Sequence, residues 1–173
     1  MPNAAYIQKE RQGAIAWAKQ AIREKLVIID FETTGFAGSE IVQIGVIDTD
    51  GSILMDTFVK PQGKIPTRTT QVHGITDAMV ADAPSLPDVW DDLVAILRGR
   101  HAVAYNVSFE QGIIKGEAAL HQRPIIRPGR WSCAMKNYAR FKGDWNIKHN
   151  NFRWHSLSNA VMQQGITVVD AHS

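Results

Sequence analysis

Two carboxylates at the end of a predicted strand are the first residues that could carry chemistry. Asp30 and Glu32 follow the apolar run at 26–29, and residues two apart on a strand point to the same face of the sheet. Acids that share a face beside an apolar core repel each other, and a cation that binds both relieves this repulsion. Hard oxygen ligands favour Mg²⁺ or Mn²⁺. The alternative is an acidic pair that simply faces solvent.

A hydroxyl-rich turn follows these acids and ends on a glycine, at Thr33, Thr34 and Gly35. Such a turn lets backbone N–H groups come close to a phosphate or a terminal sugar. With this turn, residues 30–35 read Asp-Phe-Glu-Thr-Thr-Gly. They resemble the first motif of the DEDDh 3′–5′ exonucleases, the DnaQ-like family that includes the proofreading subunit of bacterial replicative polymerases.

The resemblance extends over about residues 26–173. Residues 73–76 (His-Gly-Ile-Thr) are similar to the family's loop after the hairpin, and residues 104–110 (Ala-Tyr-Asn-Val-Ser-Phe-Glu) to its second motif. Residues 156–166 resemble the helix before the third motif, and residues 170–172 (Asp-Ala-His) the opening of that motif. The resemblance implies a ribonuclease-H-like α/β fold with a mixed sheet.

The resemblance also implies a reaction and a set of roles. The reaction is metal-dependent hydrolysis at 3′ ends of single-stranded or frayed nucleic acid, releasing nucleoside 5′-monophosphates with two Mg²⁺ or Mn²⁺ ions. Asp30 would bridge both metals, Glu32 would help to hold the one that binds the nucleophile, and Glu110 would lie near the other. His172 would be the general base, since an imidazole titrates near neutral pH. The residues expected to contact the substrate are Thr33, Thr34, Gly35, Phe36, His73, Asn106 and Phe109.

Two departures from the family pattern leave alternatives open. The second motif usually has Asp, where this chain has Glu110; the alternative for Glu110 is a helix-surface acid stabilised by the helix dipole. The family's last carboxylate would fall at position 177, beyond Ser173, and we expect that a C-terminal helix is missing from the given sequence. A nucleic-acid-binding module that cuts poorly is therefore an alternative function, and a protein-interaction domain with incidental acids is a third.

The order of predicted elements agrees with an α/β layer fold. We expect an N-terminal helix over 4–24, packed through Trp17 on a domain formed by residues 26–173. Three strands should follow, with a hairpin turn at Asp50-Gly51, then a loop to His73 and helices and strands in alternation. We expect Ser108 to cap a helix to about 121, and residues 142–154 to be irregular.

Charge and composition restrict the partner and the compartment. Residues 1–99 carry nine Lys or Arg and thirteen Asp or Glu, whereas residues 100–155 carry ten and three. Cations interleave with aromatic residues over 130–154, a pattern that suits single-stranded nucleic acid, with DNA favoured and RNA as the alternative; Trp131 and Trp154 are expected in the core. A single cysteine, Cys133, and no apolar run that could span a bilayer favour the cytoplasm. A homodimer, or a polymerase or repair partner, is left open.

Overall fold

The computed structural model describes residues 1–24, 26–36 and 38–167. A five-stranded mixed sheet has the order β3-β2-β1-β4-β5, and a separate pair of short strands forms a second sheet. The strands are β1 (Val27–Thr33), β2 (Ile41–Asp48), β3 (Ile53–Phe58), β4 (His101–Ala104), β5 (Arg130–Cys133), β6 (Trp145–Asn146) and β7 (Asn151–Phe152). The helices are α1 (Ala4–Arg23), α2 (Thr67–His73), α3 (Leu86–Leu97), α4 (Val107–Leu120), α5 (Ala134–Lys142) and α6 (Leu157–Gln163).

The central strand β1 is antiparallel to β2 and parallel to β4. Its residues alternate between the core and a more accessible face, with Ile29 and Phe31 buried. Asp30 and Glu32 therefore share the more accessible face, as the strand period predicts. A turn at residues 49–52 joins β2 to β3, with Gly51 at φ 88°, so the predicted hairpin is confirmed.

The main core lies between the sheet and the apolar face of α3. Trp90, Leu93 and Leu97 are spaced by three and four residues, so they lie on one side of α3, and each is at most 1% exposed. Helix α3 starts at Ser85, where Ser85 and Asp88 form a reciprocal capping box. This packing holds the sheet on which the carboxylates stand.

Helix α1 packs on the rest of the domain through an apolar cluster. Ala21 and Trp17 pack with Leu26, Val103 and Ala134, so Trp17 anchors the helix as predicted. None of the helices within the described ranges is long and apolar enough to cross a lipid bilayer.

Three local predictions were wrong. Residues 67–73 form α2 rather than a loop, because Pro66 precedes the helix with extended dihedrals and Gly74 ends it in the left-handed conformation. Asn106 occupies the N-cap of α4, so Ser108 lies inside the helix. Residues 142–154 are not wholly irregular, since they contain the β6–β7 hairpin.

The prediction for the two tryptophans was half right. Trp131 packs partly buried on the main core, whereas Trp154 is 57% exposed. Trp154 directly follows the short hairpin, outside the five-stranded sheet.

Candidate active site

The acids from two distant chain segments come together at one edge of the sheet. Strands β1 and β4 are parallel, so their carboxyl ends meet at the same edge. Asp30 and Glu32 lie in the second half of β1, and α4, which bears Glu110, begins three residues after β4 ends. The first turn of α4 thus brings Glu110 toward the two acids of β1.

Glu110 is buried and poorly compensated. Its side chain belongs to a residue that is 3% exposed, and its Oε2 atom has no hydrogen-bond partner among the described residues. Burial raises the pKa of Glu110 to about 8, and the negative charges of Asp30 and then Glu32 add to the effect. The alternative of a helix-surface acid is therefore wrong. The same interactions show that Asp30 and Glu32 lie close enough to act on Glu110 electrostatically.

These carboxylates fit a hard divalent ion by their chemistry, though they do not form a closed cage. Within the described ranges, no group of three His, Cys, Asp or Glu side chains is already arranged around one ion position. A buried carboxyl with an unpartnered oxygen beside two further acids is nevertheless a costly arrangement for a fold to keep. A divalent cation would offset the cost, because it favours the ionised form of all three acids.

The hydroxyls of the 33–35 turn are used within the turn itself. Thr33 Oγ1 donates to Gly35 O at 2.6 Å, and Thr34 Oγ1 accepts from the backbone N–H of Glu40 at 3.0 Å. A side chain at Gly35 would meet only Ser39 Cβ, at an ordinary 3.8 Å. The threonines therefore shape the turn, and a side chain at position 35 would cause no steric clash.

Four other predicted substrate contacts fall into two groups. Phe36 is 76% exposed beside the turn, and Asn106 is exposed at the start of α4 with no side-chain cap bond. Phe109 instead lies partly buried against the main core. His73 is 5% exposed; its Nδ1 accepts from the N–H of Ile75 at 3.0 Å and its Nε2 lies 3.2 Å from Thr33 O. This geometry favours a structural role for His73, because its ring contacts both the end of β1 and the backbone of Ile75.

The proposed general base lies outside the described residues. His172 and the neighbouring Asp170 both fall in the range 168–173. The role of His172 therefore stays a prediction from the motif. His155, another histidine of this part of the chain, is partly buried just before α6, with Nε2 3.5 Å from Asp144 Oδ2.

One buried acid close to the site was not identified from the sequence. Glu117, on the buried face of α4, accepts the N–H of Ile41 at 2.5 Å through Oε1, while Oε2 lies 3.3 Å from His121 Nε2. Burial raises the pKa of Glu117 to about 7. The hydrogen bond from Ile41 lowers this pKa in part, and the nearby negative charge of Glu40 raises it further. Its spacing of seven residues from Glu110 puts both on one face of the helix, which is the signal that could have revealed it.

Comparison with known proteins identifies the family of the chain. The family model RNase_T, described as "Exonuclease", matches residues 27–173. An uncharacterized exonuclease, CP81, of Escherichia phage 186 is 33% identical over 157 residues, covering 87% of this chain and 80% of that protein. Exodeoxyribonuclease 10 of Escherichia coli K12 is 36% identical over 130 residues, which is 73% of this chain but only 51% of that protein.

Solved structures show the same fold. Exonuclease X in complex with 5′ overhanging duplex DNA has a TM-score of 0.61 at 30% identity, covering 86% of this chain and 78% of that chain. Exonuclease I of E. coli with a dA16 oligonucleotide has a TM-score of 0.67 at 12% identity, over 84% of this chain and 37% of that chain. The ribonuclease-H-like fold predicted from the sequence is confirmed, and 3′–5′ direction and metal dependence fit the family. The chain belongs to the RNase_T exonuclease family.

Proposed function

We propose that this chain removes nucleoside 5′-monophosphates one at a time from the 3′ end of single-stranded or frayed DNA. Asp30, Glu32 and Glu110 would hold two Mg²⁺ or Mn²⁺ ions for this reaction. The observation that carries the proposal is Glu110, a buried acid with an unpartnered oxygen, whose pKa is raised partly by the two acids of β1.

The chemistry of the site suits a phosphodiester. When bound, divalent ions supply positive charge at the phosphate, lower the pKa of water and stabilise the leaving oxygen. The task of the three carboxylates is to present oxygen ligands from β1 and α4 together. Glu110 must lose its proton to take part, so ion binding and deprotonation are coupled.

Other residues would orient the substrate and move protons. His172 would accept the proton of the attacking water. His73 would act through Thr33, since its contact with the Thr33 carbonyl fixes the end of β1. Phe36 would pack on the terminal base, and Asn106, exposed at the start of α4, would donate to the terminal nucleotide.

The test is a nuclease assay on 5′-labelled single-stranded DNA with Mn²⁺ or Mg²⁺, run for the wild type, Asp30→Asn and Glu110→Gln. We expect a ladder that shortens from the 3′ end, and a loss of at least about 10²-fold in rate for each variant. Asp92→Asn is the matched control, because Asp92 is an exposed acid on α3. Cleavage that is internal, or that survives Asp30→Asn, would refute the proposal.

The same assay addresses the alternative of a binding module that cuts poorly. That alternative predicts binding of labelled DNA without product in either metal. A labelled RNA of the same sequence tests DNA against RNA, since the 2′-hydroxyl is the chemical difference between them.

A further inference from the structure

We propose that residues 144–154, comprising the β6–β7 hairpin and the following Trp154, form an arm that binds single-stranded DNA upstream of the 3′ end. This inference rests on the proposed function, because it assigns the surface that would hold the rest of that substrate. The name "arm" is used below for residues 144–154.

The two cations of the arm differ from Arg130 and Arg140, which precede the arm and are held in ion pairs. Arg130 pairs with Glu24 at 2.9 Å, and Arg140 pairs with Glu10 at 2.5 Å. Lys148 and Arg153, by contrast, are exposed and form no ion pair with any residue of the described ranges. Two unpaired cations on one short hairpin suit the phosphates of a nucleic acid backbone.

The aromatic residues divide in the same way. Trp145 packs edge-on against Phe152 at 5.2 Å between ring centroids, and Phe152 stacks on Tyr6 at 6.2 Å. Trp145 and Phe152 therefore form the inner side of the arm, which packs on Tyr6 of α1. Trp154, by contrast, is 57% exposed. An exposed indole next to unpaired cations is the combination on which an unpaired base stacks.

The C-terminal end of the arm lies near the same sheet edge as the carboxylates. Tyr105, the residue directly after β4, donates its hydroxyl to the carbonyl of His155 at 2.8 Å. Tyr105 also directly precedes Asn106, the N-cap of the helix that carries Glu110. The end of the arm is thereby fixed beside the start of α4, so a strand whose 3′ end reaches Glu110 has the arm nearby.

Helix α1 braces the arm. Arg11 donates to the carbonyls of Phe141 and Lys142 at 2.7 and 2.9 Å, which holds the chain just before the arm. A side chain at Gly143 would come within 2.8 Å of Ile7 Cγ2, so the two segments lie in close contact. Tyr6 supports Phe152 from the other side. Tyr6 and Arg11 are thus positioning residues, and both lie before the family match, which starts at residue 27.

A single strand fits the arm better than a duplex does. In a duplex the bases are stacked inside and leave no face for Trp154, whereas an unpaired strand offers a base to the indole and its phosphates to Lys148 and Arg153. The arm would therefore favour substrates with an unpaired segment next to the 3′ end.

The first test measures binding without hydrolysis. Fluorescence anisotropy in EDTA would follow a labelled oligothymidylate of about fifteen nucleotides, long enough to span the arm. We expect the double variant Lys148→Gln/Arg153→Gln to bind about tenfold more weakly and to lower the salt dependence of binding by about 1.4 in logarithmic slope. Trp154→Ala should weaken binding about tenfold with the salt dependence unchanged.

The matched control is Arg23→Gln/Arg98→Gln, which removes two exposed cations at the other end of the sheet, near the start of β4. It should bind like the wild type. Equal loss in the control and in the arm variant would overturn the proposal, because it would show a general effect of net charge. Equal weakening on a duplex of the same length would do so too.

The second test separates the arm from the carboxylate site. The p-nitrophenyl ester of thymidine 5′-monophosphate has one nucleotide, so it cannot reach the arm. We expect the arm variants to raise KM for the oligonucleotide and to leave kcat and KM for the ester unchanged, whereas failure of the proposed function would appear as ester hydrolysis that survives Asp30→Asn. Tyr6→Ala should raise the oligonucleotide KM and Tyr6→Phe should restore it. An unchanged oligonucleotide KM in all arm variants would refute the arm.

Discussion

Glu117 of α4 accepts the backbone N–H of Ile41 at 2.5 Å, and this bond ties the helix that bears Glu110 to the first residue of β2. Ile41 also pairs with Thr33 across the β1–β2 ladder. The contact therefore links the start of β2, the end of β1 and α4, which are the elements around the three acids. The position of α4 relative to β1 and β2 is therefore held by a buried carboxyl as well as by apolar packing.

Glu117 should make the stability of the metal-free protein depend on pH. Its pKa is raised from 4.5 to about 7 in the folded state, so the folded state is favoured when Glu117 is protonated. This contribution to the free energy of unfolding is complete below the ordinary pKa near 4.5 and is lost as pH rises through about 7. Glu117→Gln keeps an oxygen for Ile41 and cannot ionise. Its free energy of unfolding should exceed that of the wild type by on the order of 2 kcal/mol at about pH 9, and by much less at about pH 5.

Urea denaturation in EDTA at those two pH values measures this difference. Glu10→Gln is unsuitable as a control because Glu10 pairs with Arg140, whereas Asp92→Asn alters an exposed acid of α3. A constant offset between Glu117→Gln and the wild type at both pH values would contradict the assignment.

Nuclease activity should tolerate a shorter acidic side chain at position 110 far better than a neutral one. Glu110→Asp keeps a carboxylate at the position where the family pattern has Asp, so activity with Mn²⁺ should stay within about tenfold of the wild type, whereas Glu110→Gln should lose at least about 10²-fold. Because the pKa of Glu110 is about 8, Mn²⁺ should bind more tightly as pH rises toward that value. The nuclease assay with Mn²⁺ checks the first point, and equal loss in Glu110→Asp and Glu110→Gln would contradict it. Calorimetric titration at several pH values checks the second, and pH-independent Mn²⁺ affinity would contradict it.

Substitution of His73 should lower the stability of the protein and, through this, its activity. His73→Ala leaves the Ile75 N–H and the Thr33 carbonyl without their buried partner, which should cost about 1–3 kcal/mol of stability. Activity should fall to a similar degree on the nucleotide ester and on the oligonucleotide, because the end of β1 is disturbed for both. His149→Ala, at an exposed position, is the control; a His73→Ala protein of wild-type stability would exclude this role.

Alanine substitution of Phe36 should affect kinetics, whereas alanine substitution of Phe31 should affect stability. Phe36 is 76% exposed and Phe31 is 4% exposed. Phe36→Ala should leave the melting temperature unchanged and raise KM for the nucleotide ester and for the oligonucleotide. Phe31→Ala should instead destabilise the protein by about 3–5 kcal/mol. Thermal denaturation and steady-state kinetics measure the two effects. Unchanged kinetics in Phe36→Ala would remove this residue from the proposed substrate contacts.

The sequence predicted well what depends on local period and on motif order. Strand alternation placed Asp30 and Glu32 on one face, and the hairpin at Asp50-Gly51 followed from turn chemistry. The resemblance predicted the fold class, which the family match and the solved structures confirm.

What the sequence did not predict depends on contacts between distant segments. The burial of Glu110 is decided by what covers α4, and Glu117 finds Ile41 across 76 positions of the chain. The β6–β7 hairpin was missed because its strands have only two residues each and rely on Tyr6 for support. Helix α2 was missed because its threonine-rich sequence has low helix propensity and its flanking Pro66 and Gly74 set its ends.

The central claim is that acids from β1 and α4 act together on a 3′ terminus. The most direct measurement is the product analysis of a 5′-labelled single-stranded DNA incubated with Mn²⁺ and the 173-residue chain, beside Asp30→Asn and Glu110→Gln. The account predicts stepwise release of nucleoside 5′-monophosphates by the wild type and near-complete loss in both variants. No release by the wild type, or equal release by the wild type and either variant, would contradict it.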